Sequence, residues 1–151
     1  MAELPACGLY RTTSALPGRE TQVPANALIY FHNHSDAGPP LVLLPDAVAS
    51  NTWKFATKGF LVQAAEFPST LETLKAEGYY LLGAPLQIAD RRVEPGQLIQ
   101  LGYNRQGEPL AFFPTRDAAT NALVFPTKGS KLGPQTFASL QMIDIRGPHA
   151  P

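Results

Sequence analysis

FATKGF (residues 55–60) and FPTKGS (residues 125–130) are two versions of one segment, placed 70 residues apart in the chain. The same offset aligns further identical residues: Gly8/Gly78, Tyr10/Tyr80, Leu16/Leu86, Val23/Val93, Leu28/Leu98, Ile29/Ile99, Asn51/Asn121 and Phe67/Phe137. Unrelated stretches of average composition agree at roughly one position in sixteen. The agreement therefore indicates an internal repeat, and a repeat of this length describes the architecture of the chain before any chemistry is considered.

Each repeat has the composition of a small all-β domain. Short runs of β-branched, aliphatic and aromatic residues are separated by Gly and Pro about every 8–12 residues. A strand, a long polar loop, three strands with short turns, a helical turn and a last strand follow one another. This order predicts a small SH3-like five-stranded barrel in each repeat. The capping-box pattern Ser69-Thr70-Leu71-Glu72 predicts a short helix near residues 69–76.

The predicted domains are residues 8–77 and 78–146, with frayed termini at residues 1–7 and 147–151. No Gly/Ser-rich tether separates the repeats, so we expect them to pack together without a linker. The repeat is equally compatible with two separate barrels and with one interlaced, pseudo-symmetric fold.

Charge and composition exclude several classes of protein. The 151 residues include 12 basic and 12 acidic side chains, which argues against a general nucleic-acid binder. Residues 1–77 carry 5 − 7 = −2 charges and residues 78–151 carry 7 − 5 = +2. This polarity could favour head-to-tail self-association, but a difference this small decides nothing by itself. With one cysteine the chain cannot form an intrachain disulfide framework. We expect a cytoplasmic protein without a membrane segment or cofactor.

The segment around His32 and His34 is the sharpest candidate for a metal site. In a strand, these two imidazoles point to the same face, and Asp36 follows closely. The three residues could bind one divalent metal, as in a metal-dependent hydrolase. However, a catalytic zinc site needs three protein ligands, and turn-forming residues in the same segment suit an ordinary hairpin loop.

Aromatic and polar residues near the predicted loops suggest a surface that binds a partner. Tyr30 and Tyr103 are not matched between the repeats and flank loops that would border a groove. His32, His34 and Arg105 lie in the same two loop regions. Half-exposed tyrosines suit such positions, because the ring is apolar and the hydroxyl is polar.

The sequence predicts a non-enzymatic adaptor or assembly module that binds a protein or peptide. A homo-oligomer is left open. A metal-binding protein or metal-dependent hydrolase at His32, His34 and Asp36 is the alternative. A tandem barrel that binds nucleic acid is a second alternative, supported only by scattered cations such as Lys58, Lys128 and Arg105.

Overall fold

The computed structural model describes residues 4–33 and 38–143. The chain divides into two compact units. The first consists of Met1–Ala76 and Tyr103–Glu108, and the second of Glu77–Gly102 and Pro109–Pro151. Strands dominate both units, and within the described residues there is one short α-helix. The prediction of an all-β protein is therefore confirmed, while the predicted domain limits stay a prediction.

The first unit contains an open sheet of five strands. All neighbouring strands are antiparallel, in the order β6-β3-β2-β1-β7, and a separate hairpin joins β4 to β5. The strands are β1 (Gly8–Arg11), β2 (Leu28–His32), β3 (Leu41–Leu43), β4 (Pro45–Ala49), β5 (Thr52–Phe55), β6 (Phe60–Leu61) and β7 (Glu72–Thr73). Strand β2 lies at the centre of the sheet, and three of its five residues are buried.

The second unit has a five-stranded sheet in the order β15-β12-β11-β8-β16, with two further hairpins. Its strands are β8 (Gly78–Leu81), β9 (Leu86–Ile88), β10 (Arg91–Val93), β11 (Leu98–Tyr103), β12 (Pro109–Phe112), β13 (Thr115–Arg116), β14 (Leu123–Val124), β15 (Ser130–Lys131) and β16 (Gln141–Met142). Helix α1 (Pro134–Ser139) begins after Gly133. Each strand of this sheet lies about 70 residues after a strand in the same place of the first sheet.

Turn residues at equivalent places also share their backbone conformation. Asn51 and Asn121 have φ angles of 62° and 58°, and Asn26 and Gly96 have 59° and 90°. Most residues avoid positive φ, whereas Gly and Asn tolerate it. The recurrence of Asn and Gly at these positions is therefore explained by the turn geometry.

The core of the first unit lies on one side of its sheet. It comprises Tyr10, Leu16, Val23, Ile29, Phe31, Val42, Val62 and Phe67. The Tyr10 and Phe31 rings meet edge to face, with centroids 6.0 Å apart. The hydroxyl of buried Thr12 donates to the Pro24 carbonyl at 2.7 Å and accepts from the Ala27 amide at 2.9 Å. Burial of this hydroxyl costs little free energy, because the group both donates and accepts a hydrogen bond.

The predicted helix near residues 69–76 is wrong. The chain forms a 3-10 helix at Phe67–Thr70 and then continues as strand β7. The Thr70 hydroxyl donates to the Phe67 carbonyl at 2.6 Å, so it serves the preceding turn instead of capping a following helix. Pairing of β7 with β1 then keeps the chain extended. Tertiary pairing here overrides a local helix signal.

The barrels expected from the sequence are not present in the described residues. Neither five-stranded sheet closes, because each runs from one edge strand to another that does not pair with it. The edge strands β6, β7, β15 and β16 have two residues each, so both sheets end in short ladders.

Candidate functional site

Four residues predicted to bind a partner belong to the first unit: Tyr30, His32, Tyr103 and Arg105. Tyr30 and His32 lie on β2, and Tyr103 and Arg105 lie in the part of the first unit formed by Tyr103–Glu108. His34 and Asp36 fall outside the described residues. Tyr30 is half-buried and packs on Phe55, with ring centroids 5.8 Å apart.

The segment Tyr103–Glu108, here called the tip segment, covers a surface of the first unit. The Leu28 amide donates to the Arg105 carbonyl at 2.8 Å, and the Trp53 indole N–H donates to the Tyr103 carbonyl at 2.7 Å. The Tyr103 side chain is 4% exposed, and its hydroxyl donates to the Lys75 carbonyl at 2.6 Å. Tyr103 thus takes part in the packing of the unit.

Arg105 fixes the tip segment through its side chain as well. Its guanidinium lies 4.9 Å from the centroid of the Trp53 ring, and its Nη1 donates to the Pro45 carbonyl at 3.0 Å. A cation over an aromatic face is stabilised by about 0.5–1 kcal/mol at exposed sites. Arg105, predicted to bind a partner, thus packs on an aromatic residue of its own unit, and its role in binding stays a prediction.

The tip segment is itself an ordered turn. The Asn104 side-chain oxygen accepts from the amides of Gln106 and Glu108, at 3.0 and 2.9 Å. Gly107 has a φ of 73°, which favours glycine at that point. The turn therefore presents the carbonyls of Tyr103 and Arg105 in a fixed arrangement.

The second unit has an open apolar groove where the first unit has its covered surface. The groove has a volume of about 370 Å³ and is lined by Tyr79, Leu98, Leu123, Phe125 and Ile143. The Tyr79 and Phe125 rings pack with centroids 5.5 Å apart, while Leu123 is 54% exposed and Tyr79 is 40% exposed. We call this the apolar groove.

The 70-residue offset in the sequence matches residues of the apolar groove with residues of the covered surface. Leu98, Leu123 and Phe125 lie 70 positions after Leu28, Trp53 and Phe55. Leu28 is fully buried in the first unit, whereas Leu98 is half-buried and lines the groove. The groove is not among the sites predicted from the sequence, although Leu123, 70 positions after Trp53, marks a difference between the two segments.

A second cluster joins Cys7 to the end of β2. The Cys7 thiol lies 3.7 Å from His32 Nδ1, donates to the Asn33 side-chain oxygen at 3.0 Å and accepts from the Asn33 amide at 3.3 Å. Burial and, to a lesser extent, the charge of Cys7 raise the pKa of the Tyr10 hydroxyl above its ordinary value of 10.0. Cys7 and His32 are 25 residues apart in the chain, so their proximity depends on the fold.

The cluster holds few of the ligands that a metal requires. Across residues 4–33 and 38–143, no three His, Cys, Asp or Glu side chains lie close enough together to hold a metal ion. Cys7 and His32 are two candidate ligands of a thiophilic metal, and a structural zinc site has four ligands.

No model of a known protein family, no curated protein and no solved structure matches this chain. None of the helices in the described part of the chain has the length and apolar character needed to cross a membrane.

Proposed function

We propose that this protein is a non-enzymatic assembly module, built from a duplicated β domain, that binds a segment of protein chain in its apolar groove. The observation that supports this proposal is the groove, in which apolar side chains are exposed to water. Burying apolar surface stabilises a complex by about 25 cal/mol per Å² removed from water. Exposed apolar patches on soluble domains commonly mark sites of protein interaction. The shared strand order of the two sheets supports the proposed duplication.

The first unit suggests how the groove is filled. There, an ordered turn supplies two backbone carbonyls to an amide and an indole N–H, and its Arg105 side chain packs on Trp53. The groove is lined by Leu98, Leu123 and Phe125, which lie 70 positions after Leu28, Trp53 and Phe55. We therefore expect a turn or an extended segment with apolar side chains to bind there, held by a backbone hydrogen bond and by apolar burial.

Leu123→Asp is expected to weaken peptide binding at least tenfold. The immobilised full-length protein is used to select binders from a random peptide library displayed on phage. Selected peptides should lose at least tenfold in affinity for the variant, because a carboxylate in the groove must be desolvated when an apolar peptide binds. The affinity is measured by fluorescence anisotropy of the synthetic peptides. The fold should tolerate the change within about 0.5 kcal/mol, since Leu123 is exposed.

Val48→Asp is the matched control. Val48 is also 54% exposed, but it lies on β4 of the first unit and outside the groove. Peptide affinity should be unchanged in this variant. If no peptide is enriched, or if enriched peptides bind Leu123→Asp as tightly as the wild type, the groove is not the binding site.

The metal alternative is favoured by one observation, the position of Cys7 beside His32. Thiolate and imidazole are ligand types that zinc accepts, and the other two predicted ligands, His34 and Asp36, lie outside the described residues. The single described pair is too small a ligand set to displace the binding proposal.

We expect added zinc or a chelator to leave the melting temperature unchanged. A native site with zinc at 100 times its dissociation constant would add about 2.7 kcal/mol of stability, which a thermal melt detects easily. The measurement compares the wild type with His32→Ala and Cys7→Ser. A zinc-dependent increase that disappears in both variants would contradict the binding proposal as the main function and place the protein in the metal-dependent class.

The nucleic-acid alternative receives the least support. Equal numbers of basic and acidic residues provide no general attraction to phosphates. One of its supporting cations, Arg105, lies against Trp53 and donates to the Pro45 carbonyl.

A further inference from the structure

We infer that the apolar groove takes a segment of another protein in which an acidic side chain stands close to apolar ones, and that Arg116 binds the carboxylate. This inference rests on the proposed function of the groove and names the chemistry of its partner. Apolar burial alone sets no requirement on the charge of a bound segment. A cation at the border of the groove sets one, because it attracts an acidic segment and repels a basic one.

Strand pairing places Arg116 beside the groove. In the hairpin of β13 and β14, Arg116 lies directly opposite Leu123, and Leu123 lines the groove. Side chains at opposite positions of an antiparallel pair lie on the same face, with their Cβ atoms about 4.5–5.5 Å apart. The long side chain of Arg116 can therefore reach a group that is bound against Leu123.

The guanidinium of Arg116 is open to a ligand. Arg116 is exposed, and none of the ion pairs among residues 4–33 and 38–143 includes it. The side-chain oxygen of the neighbouring acid, Asp117, accepts a hydrogen bond from the Ala119 amide at 2.9 Å. A planar guanidinium can donate to both oxygens of a carboxylate at once, which favours an acidic side chain as its partner.

The first unit shows the opposite arrangement of charge. Across the ladder from Trp53 lies the uncharged Val48, and the cation on the Trp53 ring is Arg105 of the tip segment. There, the segment that covers the surface brings the positive charge. In the second unit the surface itself carries the charge, since Arg116 lies across from Leu123. A bound segment with a cation like that of the tip segment is therefore disfavoured in the groove, and one with a carboxylate is favoured.

The peptides selected on the wild-type protein provide the first test. Sequences enriched from the random phage library should carry Asp or Glu close to their apolar side chains, and should be depleted in Lys and Arg. Each synthetic peptide is then compared with a version in which Asn or Gln replaces the acid. The neutral version should bind about two- to fivefold more weakly, which is the range of a single exposed ion pair.

Arg116→Glu should reverse the preference. Acidic peptides should lose roughly tenfold or more in affinity, because like charges then meet at the groove, and versions with Lys in place of the acid should bind this variant better. Arg92→Glu is the matched control, since it makes the same change of charge in the same unit. Arg92 is 61% exposed on β10 and does not line the groove, so peptide affinities should stay at the wild-type values.

The outcomes separate this inference from the function on which it rests. Equal losses in Arg116→Glu and Arg92→Glu would show a response to net charge and overturn the role of Arg116. Enriched peptides that lack acids but still lose affinity for Leu123→Asp would overturn the acidic partner, while the binding function stands. If no peptide is enriched, both fail. Self-association of the wild type in sedimentation equilibrium, absent in Leu123→Asp, would place a second copy of this chain in the groove and overturn a separate partner.

Discussion

Phe31→Ala should lower the free energy of unfolding by about 3–5 kcal/mol, the usual cost of removing a buried phenylalanine ring. Phe31 lies on the central strand β2, is fully buried and meets the Tyr10 ring edge to face. The change removes the ring from the core and leaves a cavity against Tyr10. Both effects reduce stability, because neighbouring side chains relax only partly into the space.

Fluorescence of Trp53 provides the measurement. Trp53 is the only tryptophan and lies on β5 of the first unit, so its emission during urea unfolding reports on this unit. Leu61→Ala is the control, because Leu61 is 51% exposed on the edge strand β6. Its effect should stay below about 0.5 kcal/mol. Equal effects of the two substitutions would show that Phe31 is not a core residue.

Gly59→Ala should lower the free energy of unfolding by about 2–3 kcal/mol, in the upper part of the range for overpacked sites. A Cβ atom at this position would lie 2.5 Å from the Val42 carbonyl oxygen and 2.5 Å from Leu43 Cδ2. The leucine side chain can rotate, but the backbone oxygen belongs to β3 and can move only if the sheet moves. The first Thr-Lys-Gly motif therefore ends in glycine because the backbone passes directly against a strand.

Gly129→Ala tests the same explanation in the second repeat. Its added Cβ would meet Leu110 Cβ at 2.9 Å and Phe112 Cε1 at 3.0 Å, which are side-chain atoms at slightly longer distances. We expect a smaller loss, of about 1 kcal/mol. Urea unfolding followed by circular dichroism ranks the two variants. A larger loss for Gly129→Ala would contradict the role given to the backbone contact at Gly59.

The edges of both sheets are poorly suited to pairing with another molecule. The edge strands have two residues each, and prolines stand at or next to the strand ends: Pro40, Pro45, Pro109 and Pro114. Short edges and prolines discourage pairing with the strands of another molecule, since few backbone groups are offered to it. An interaction through the apolar groove depends on side-chain burial and is not limited in this way.

The sequence alone determined the local features of the fold. Alternating apolar runs between Gly and Pro predicted strands, and the 70-residue offset matched turns such as those at Asn51 and Asn121, whose φ angles agree within a few degrees. These features depend on the backbone preferences of single residues and on the spacing of apolar side chains. Both can be read directly from the residue types.

Local sequence patterns predicted the wrong structure where a segment pairs with a distant strand. The capping box at Ser69–Glu72 predicted a helix, but pairing of β7 with β1 made the segment extended. The strand order predicted a barrel, but both sheets are open, because their two edge strands do not pair with each other. Strand pairing depends on residues far away in the sequence, so propensity within a short window cannot decide it.

Only the tertiary structure revealed the two candidate sites. Cys7 meets His32 across 25 residues, and the Leu28 amide meets the Arg105 carbonyl across 77 positions of the chain (105 − 28). Trp53 and Leu123 lie 70 positions apart and match in the sequence alignment, yet one contacts the tip segment and the other is exposed in a groove. Residue type sets how much apolar surface a side chain carries. Whether that surface is covered depends on which distant segment packs against it, and this is decided only when the whole chain folds.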